Sequence, residues 1–281
     1  MAFQPPSATV PSTASMQVTT SALSPVEKTL LIPLAARAHG ARLFPQMALH
    51  DTCAASALSK LEVEADDYLD DPLSVYGVLS RTRILRQIAL DFFIRHPRGL
   101  AANLGCGLSC YFQWLDADLP EVVALRENLL PSLGQHHRNA VVDLKRTHWW
   151  PSLGLPEGSN APAVLVLLEG VLMYLRPEEV RQILHEFAEH APAGSEIVFD
   201  SLSWMAIGCA GLHPSVSRTQ AQFLWGARQM RDFTAAHPRL RLLSEHSVLD
   251  GYDASTAWLC PVFRAFWGVP MYGIVRMGLS H

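Results

Sequence analysis

The sequence has few lysines, little charge and no long hydrophobic run, and each shortage excludes a class of protein. Only three of its 281 residues are lysine, charged residues make up 17%, and the formal net charge is −4. Because nucleic-acid binding needs a basic surface, we expect no nucleic-acid partner. The longest apolar run, residues 163–168, is far shorter than the roughly 20 residues that span a bilayer, so we expect no membrane partner.

Cysteine is also scarce, and its pattern excludes a disulfide framework. The five cysteines are odd in number and form no C-x-x-C pair, which favours a reducing, cytoplasmic location. The adjacent His136 and His137 have no third partner at metal-ligand spacing. We therefore expect no metal and predict that this pair is exposed to solvent.

Composition divides the chain into three predicted parts. Residues 1–24 are rich in proline, serine and threonine, lack the features of a signal peptide, and are predicted to form a flexible arm. Residues 25–98 show helical periodicity, as in the spacing of Val26, Leu30 and Leu34, and are predicted to form a helical cap. Residues 99–281 are predicted to form the ligand-binding domain.

Short apolar runs alternate with helical stretches after Gly99. This alternation predicts an α/β fold with a mostly parallel sheet that is covered on both faces. Two later runs, 240–249 and 269–279, are predicted to complete the sheet as an antiparallel edge, and a helix is predicted over 217–237. The predicted parallel strands lie within 100–105, 111–118, 138–144, 161–170 and 194–201.

Four successive predicted strands end in a glycine turn or an acid. Gly105 and Gly107 follow the first strand, Asp118 ends the second, Asp143 the third and Glu169 the fourth. Ligands of open α/β sheets bind at the carboxyl ends of the strands, where a glycine turn allows backbone N–H groups to approach closely. An acid after the second strand suits the two hydroxyls of a ribose. The pattern therefore predicts an adenosine-containing ligand.

The charges near these strand ends select among such ligands. The sequence contains no G-x-x-x-x-G-K-[ST] loop and no lysine near the glycines, and three carboxylates would repel a pyrophosphate. They would suit a ligand that carries positive charge. S-Adenosylmethionine (SAM), with its sulfonium and ammonium groups, fits better than NAD or ATP.

Several stretches together resemble the leucine carboxyl methyltransferase superfamily, in its bacterial polyketide O-methyltransferase branch. The resemblance covers nearly the whole chain from about residue 24, and it implies a Rossmann-like class I methyltransferase fold with SAM as cofactor. The stretches that carry it are KTLLIPLAARA (28–38), SRTRIL (80–85), NLGCGL (103–108), DADLPEVVALRENLLP (116–131), VVDL (141–144), LLEGVLMYLRPEEV (167–180) and EIVFDS (196–201).

The resemblance also implies a set of cofactor-binding residues. For Arg81 the alternative is an ion pair with Asp70 or Asp71, and for Asp118 it is a cap on the following helix. The implied roles are contact with the methionine carboxylate for Arg81, a place against the methionine part for Gly105, ribose binding for Asp118, framing of the adenine for Asp143 and Leu144, and a place near the methionine ammonium for Glu169.

The segment 103–118 departs from the family pattern. Family members place a helix between the glycine loop and the second strand, but here Gly105 and Asp118 are only 13 positions apart, which leaves no room for one. We predict that this helix is shortened or missing. Its N-terminus would have faced the ligand, so the methionine end of the site is predicted to be altered.

Two residues are candidates for catalysis. Tyr174 follows Glu169 closely, and its ring could lie against a sulfonium by cation–π attraction or could simply pack within the core. Ser201 follows the fifth strand near the same rim.

The predicted activity is O-methylation of a carboxyl or hydroxyl group on a small, apolar secondary metabolite, by a monomer or a homodimer. A carboxylate acceptor needs no general base, whereas a phenol would be helped by one. One alternative is a SAM cyclase, in which the amino nitrogen attacks the γ-carbon and yields azetidine-2-carboxylate and methylthioadenosine. Another is a SAM-binding protein without catalytic activity.

Overall fold

A computed structural model of the chain describes residues 20–61, 63–110, 115–131, 134, 137–158 and 160–280. The arm predicted for residues 1–24 falls mostly outside this range. Within it, Leu23 is buried, and Ser24 is the N-cap of the first helix, where it forms a capping box with Glu27. The helices that precede the first strand are α1 (Pro25–Lys28), α2 (Leu31–His39), α3 (Thr52–Ser59) and α4 (Pro72–Arg95).

Within the described residues, seven strands form one sheet in the order β3-β2-β1-β4-β5-β7-β6. Strands β1 to β5 are parallel, and β7 is antiparallel to both of its neighbours, β5 and β6. The predicted fold class is confirmed, with β6 at the edge. The strands are β1 (Leu100–Leu104), β2 (Leu115–Asp118), β3 (Arg138–Val141), β4 (Val164–Leu168), β5 (Glu196–Leu202), β6 (Leu240–Ser247) and β7 (Tyr272–Leu279).

Helices cover both faces of the sheet, as the fully buried strand β4 requires. Trp150 and Phe187 belong to the core on one face, and Phe92 of α4 belongs to the core on the other. None of the described helices is both long and apolar enough to cross a membrane. The helices after β2 are α5 (Pro120–Leu129), α6 (Trp149–Ser152), α7 (Pro177–His190), α8 (Pro214–Ser217), α9 (Arg231–Thr234) and α10 (Ala254–Trp267).

The helix predicted over 217–237 is wrong. Only its two ends are helical, as the last residue of α8 and the four residues of α9. Between them, Gln220 has a positive φ, the Leu224 N–H donates to Met173 O (2.8 Å) and the Ala227 N–H donates to Leu202 O (2.9 Å). Because these backbone donors are used in tertiary contacts, the segment forms no helix and passes the carboxyl ends of β4 and β5.

The loop after β1 contains no helix among its described residues, 105–110. The Gly105 and Cys106 N–H groups both donate to Ala117 O of β2, at 2.8 and 3.2 Å. The chain therefore turns directly towards β2, as the short spacing predicts; residues 111–114 lie outside the described range.

Candidate cofactor site

A cavity of about 1060 Å³ lies at the carboxyl ends of the five parallel strands. Its other walls come from α1, α2 and α4 and from the extended segment before α9. All seven residues predicted to bind the cofactor line this cavity, and so does Tyr174, whereas Ser201 is not among the lining residues. The seven are Arg81, Gly105, Gly107, Asp118, Asp143, Leu144 and Glu169.

The glycine loop needs its glycines for conformation and for space. Gly105 and Gly107 have φ values of +65° and +51°, a left-handed region that other residues rarely adopt. A Cβ on Gly105 would lie 2.4 Å from Val171 Cγ2. The strand end can therefore approach the segment after β4 only with glycine at this position.

Asp118 connects the glycine loop to the end of β2. Its Oδ2 accepts a hydrogen bond from the Gly107 N–H (2.7 Å), and its Oδ1 accepts one from the Leu119 N–H (2.7 Å). Helix α5 begins at Pro120 with Leu119 as its cap residue, so Asp118 is not the helix cap. Burial raises the pKa of Asp118 to about 6, against the lowering effect of these two N–H groups.

Asp143 and Leu144 follow β3 at the far end of the cavity. The Asp143 side chain is 35% exposed, accepts a hydrogen bond from the Lys145 N–H (3.0 Å) and lies 3.4 Å from Arg146 Nε. Leu144 is buried. This end of the cavity thus has one apolar wall and one carboxylate in contact with solvent.

Arg81 lies at the centre of a buried polar cluster. Its Nε donates to Glu169 Oε1 (2.8 Å), and its Nη1 donates to Asp200 Oδ2 (3.1 Å) and to the Tyr272 hydroxyl (2.9 Å). The alternative ion pair is wrong: Asp70 is bonded to Arg218, and Asp71 accepts hydrogen bonds from Ser74 at the start of α4.

The sequence analysis missed Asp200 and Tyr272 in this cluster. The Tyr272 hydroxyl donates to Asp200 Oδ2 (2.7 Å), and the Gly170 N–H donates to Asp200 Oδ1 (2.7 Å). Burial raises the pKa of Asp200, although Arg81 acts in the opposite direction. With both carboxylates ionised, the cluster would carry a formal charge of −1 around one arginine, which suits a cationic ligand group.

The two catalytic candidates occupy different environments. Tyr174 is buried in the cavity wall, and its ring centroid lies 5.8 Å from that of Phe223. Burial raises the pKa of Tyr174 to about 12, so its hydroxyl stays protonated at neutral pH. Ser201 is buried within β5, and its Oγ donates to Leu202 O (3.1 Å), so the structure does not bring it to the cavity.

The histidines give two further results. His137 is not solvent-exposed as predicted, because its Nε2 lies 2.9 Å from Asp116 Oδ2 in a buried setting; His136 lies outside the described residues. Separately, His185, Glu189 and His237 place their ligand atoms within 4.8 Å of one another. His237 Nδ1 accepts the Arg239 N–H (3.1 Å), so Nε2 carries the proton and donates to Glu189 (2.7 Å), which leaves no lone pair for a metal.

The donor set of the cavity fits SAM. Asp118 offers a carboxylate for ribose hydroxyls, and Glu169 offers one near the Arg81 cluster. Nη2 of Arg81 makes no hydrogen bond to any described residue, so one edge of the guanidinium is available to a ligand carboxylate. The one lysine among the described lining residues, Lys145, follows β3 and does not belong to the glycine loop, where a phosphate-binding lysine would be expected.

This fold and site define a class I SAM-dependent methyltransferase. The family model for leucine carboxyl methyltransferase matches residues 32–188, which is more than half of the chain. The chain therefore belongs to the leucine carboxyl methyltransferase family.

Two curated relatives agree with this assignment, and one solved structure agrees with the fold. The tetracenomycin polyketide synthesis O-methyltransferase TcmP of Streptomyces glaucescens is 28% identical over 237 residues, which is 81% of this chain and 85% of the relative. The SAM-dependent methyltransferase dpfgK of Gibberella zeae is 28% identical over 258 residues, and the alignment covers 82% of this chain and 85% of the relative. The structure of a Thermobifida fusca protein described as a methyltransferase has a TM-score of 0.53 at 14% identity. The match covers 80% of this chain and 92% of that protein.

Proposed function

We propose that this methyltransferase transfers a methyl group to an oxygen of a small, mainly apolar secondary metabolite. The observation that carries the proposal is the size of the cavity, about 1060 Å³. Pockets for a single drug-sized ligand usually measure roughly 300–1,000 Å³, so there is room for SAM and a second small molecule. The wall beyond Tyr174 is apolar, with Met173, Val216 and Phe223.

In this proposal the strand ends hold the cofactor. Asp118 accepts hydrogen bonds from the ribose hydroxyls, Asp143 and Leu144 frame the adenine, Arg81 binds the methionine carboxylate, and Glu169 lies near the ammonium. Bound SAM supplies an electrophilic methyl group on its sulfonium. The protein orients the acceptor oxygen towards that methyl and excludes water from it.

The structure also offers a base for a hydroxyl acceptor, which the sequence analysis did not find. His213 Nε2 lies 3.2 Å from Ser74 Oγ, and His213 Nδ1 lies 3.7 Å from Asp71 Oδ2. Burial lowers the pKa of His213 although Asp71 acts in the opposite direction, so the ring is neutral at neutral pH. Because the Ser74 hydroxyl donates to Asp71, the Nε2 N–H donates to Ser74 Oγ, and the lone pair lies on Nδ1. A proton taken from the acceptor would therefore be held on Nδ1 beside Asp71.

The position of this group suits the acceptor. Ser74 and His213 line the cavity, and Ser74 precedes Arg81 by seven residues on α4, or about 10 Å at a rise of 1.5 Å per residue. The base is thus displaced from the Arg81 cluster along the cavity. This arrangement favours a hydroxyl over a carboxylate acceptor, because a carboxylate is already ionised.

The name of one relative supports the substrate class. TcmP is named as an O-methyltransferase of tetracenomycin polyketide synthesis, which supports an oxygen as the acceptor atom and a secondary metabolite as the substrate. The comparisons give no support to the cyclase alternative, and such an enzyme would have no use for an acceptor cavity.

The test is to incubate the protein with SAM alone and with SAM plus an acceptor, and to identify products by mass spectrometry. As acceptors we would use 2-naphthol, 2-naphthoic acid and a metabolite extract. S-Adenosylhomocysteine should form only with an acceptor present. Methylthioadenosine and azetidine-2-carboxylate from SAM alone would contradict the proposal, and unchanged SAM in every arm would indicate a binding protein.

The variant His213→Gln separates the two acceptor types. We expect kcat on a hydroxyl acceptor to fall about 100-fold, since general-base catalysis typically contributes 10²–10⁴-fold. The rate on a carboxylate acceptor should stay within about threefold. Equal losses on both acceptors would exclude His213 as the base.

A further inference from the structure

A buried polar network lies against the glycine loop. Arg37, Asn103 and Ser109 of this network also line the cavity, whereas Asp116 and Arg126 do not. Arg37, Ser109 and Arg126 bind the backbone carbonyls of residues 106–109, and Asn103 and Asp116 bind the side chains of the network. Asn103, Ser109, Asp116 and Arg126 are each less than 5% exposed, and Arg37 is 6% exposed. Because burying charged and polar groups is costly unless they are paired, a network of this size calls for a physical reason.

Arg126, on α5, makes most of the contacts to the loop. Its Nη1 donates to Gly107 O (2.6 Å) and to Ser109 O (2.8 Å), and its Nη2 is bonded to Asp116. A single guanidinium thus joins two loop carbonyls to a carboxylate of β2. Its planar fork of five donors allows this, whereas a lysine ammonium could not span the same acceptors.

Asp116 fixes the orientation of that guanidinium. Its Oδ2 also lies 2.9 Å from His137 Nε2, and its Oδ1 accepts a hydrogen bond from Asn103 Nδ2 (3.0 Å). Asn103 Nδ2 also donates to Ser109 Oγ (2.8 Å), which joins the strand end of β1 to the loop.

The remaining loop carbonyls are bound in the same way. Ser109 Oγ donates to Cys106 O (2.8 Å), and Arg37 Nη2 of α2 donates to Leu108 O (3.0 Å). Each of the four successive carbonyls from Cys106 to Ser109 therefore accepts a hydrogen bond from a side chain. A helix would satisfy such groups through its own backbone. Here, side chains from α2 and α5 and from the loop itself do so.

These bonds determine how the loop meets Asp118. At Gly107 the carbonyl is held by Arg126, and the N–H donates to Asp118 Oδ2. The Gly107 N–H shares its peptide plane with Cys106 O, which Ser109 Oγ holds, and Arg126 holds the following plane through Gly107 O. The two bonds together restrict the direction of the Gly107 N–H. The carboxylate proposed to bind the ribose is therefore held by a backbone group whose own position depends on Arg126.

We infer that Arg126 is a positioning residue for the adenosine half of SAM, and that its network takes the structural place of the helix missing after β1. The inference rests on the proposed role of Asp118. It does not depend on the acceptor or on the reaction.

The test measures binding rather than turnover. Dissociation constants for SAM and for methylthioadenosine, which has the adenosine half but no amino acid, are measured by calorimetry for the wild type and Arg126→Lys. We expect both ligands to bind at least 10-fold more weakly, by similar factors. Hydrogen exchange of the loop amides at 105–110 should be faster in the variant, and the melting temperature is measured in parallel.

Arg276→Lys is the matched control. Arg276 also donates two hydrogen bonds to one part-buried carboxylate, that of Glu196 on β5, but it does not line the cavity. Its substitution should leave both affinities within about twofold. Unchanged affinities in Arg126→Lys would overturn the inference, because Arg126 would then have no effect on binding. Weaker binding of SAM alone would also overturn it, because the effect would then lie at the methionine end.

Two further variants keep the outcomes separable. If Arg126→Lys does not fold, Ser109→Ala removes the hydrogen bond to Cys106 O with a smaller loss of stability. It should weaken the binding of both ligands about three- to tenfold, and unchanged affinities would overturn the inference. If Asp118→Asn leaves both affinities unchanged while Arg126→Lys lowers them, the route through Asp118 is wrong. The inference then fails, and the methyltransferase proposal stands.

Discussion

The two ends of the cofactor cavity are formed by different kinds of chemical group. At the end proposed to hold the adenosine, called the adenosine end below, backbone N–H groups and Asp118 come from neighbouring segments of the chain, on β1, β2 and the loop between them. At the end proposed to hold the methionine, called the methionine end, charged and polar side chains of α4 and β5, of β7 and of the residue after β4 meet at Arg81. The first end depends on backbone conformation and the second on the balance of buried charge, so substitutions at the two ends should have different consequences.

The largest effect is expected from removing the central charge of the methionine end. Arg81→Met leaves Glu169 and Asp200 in a buried setting without their cation, which should lower the free energy of unfolding by about 3–5 kcal/mol and abolish SAM binding. Urea denaturation at pH 7 measures the loss. Arg264→Met is the control, because its pair with Glu245 is partly exposed and should contribute less than about 1 kcal/mol. Equal losses in the two variants would show that the cluster is not a charge-balanced unit.

Asp118→Asn should weaken binding at the adenosine end by about 10- to 100-fold, for SAM and methylthioadenosine alike. The reason is that hydrogen bonds to a charged group contribute about 1.5–3 kcal/mol each. Calorimetry measures both ligands, and Asp143→Asn, at a more exposed carboxylate, should cost less than about fivefold. A loss limited to SAM would contradict the division of the cavity into two ends.

The pH dependence sharpens the same prediction. The pKa of Asp118 is raised from 3.8 to about 6. Between pH 3.8 and pH 6, the Asp118 carboxyl is therefore protonated in the folded apo protein but ionised in the unfolded chain. Stability from this group should therefore fall as pH rises through this window, while SAM affinity should rise as the carboxylate ionises. Asp118→Asn should remove both trends, which are measured by urea denaturation and calorimetry from about pH 4 to pH 7.

A smaller effect is expected from Tyr272→Phe at the methionine end. The change removes the hydroxyl that joins Arg81 to Asp200, and it should cost about 1–3 kcal/mol of unfolding free energy because a buried carboxylate loses a donor. SAM should bind about fivefold more weakly and methylthioadenosine as before. Tyr252→Phe, in the nearby aromatic cluster, is the control and should change neither. Equal weakening of both ligands would contradict the separation of the two ends.

The strand-end rule predicted the residues that line the cavity at the strand ends, because parallel strands bring their carboxyl ends to one edge. It placed Gly105, Asp118, Asp143 and Glu169 in one cavity, and it could have found Asp200, which ends the same kind of apolar run in EIVFDS. The absence of a helix from the described loop residues, 105–110, was also predictable, because Gly105 and Asp118 are only 13 positions apart.

No sequence pattern indicates the residues whose role depends on packing between segments that are distant in the chain. Tyr272 comes from an antiparallel strand that enters the sheet between β5 and β6, and Arg126 looks like an ordinary polar position on an amphipathic helix. The helix wrongly predicted over 217–237 has the same cause. Its periodicity is real, but bonds to Met173 and Leu202 hold the backbone extended.

The smallest effect is expected at Ser201, which was predicted to be catalytic. Its Oγ is bonded to Leu202 O and does not reach the cavity, so Ser201→Ala should leave SAM affinity and kcat within about twofold of the wild type. Ser203→Ala, two residues further on and in the cavity wall, is the matched comparison. Calorimetry and turnover on any acceptor that yields S-adenosylhomocysteine provide the two measurements. A tenfold loss of kcat in Ser201→Ala would return this serine to the site, and it would mean that β5 presents its side chain to the cavity during the reaction.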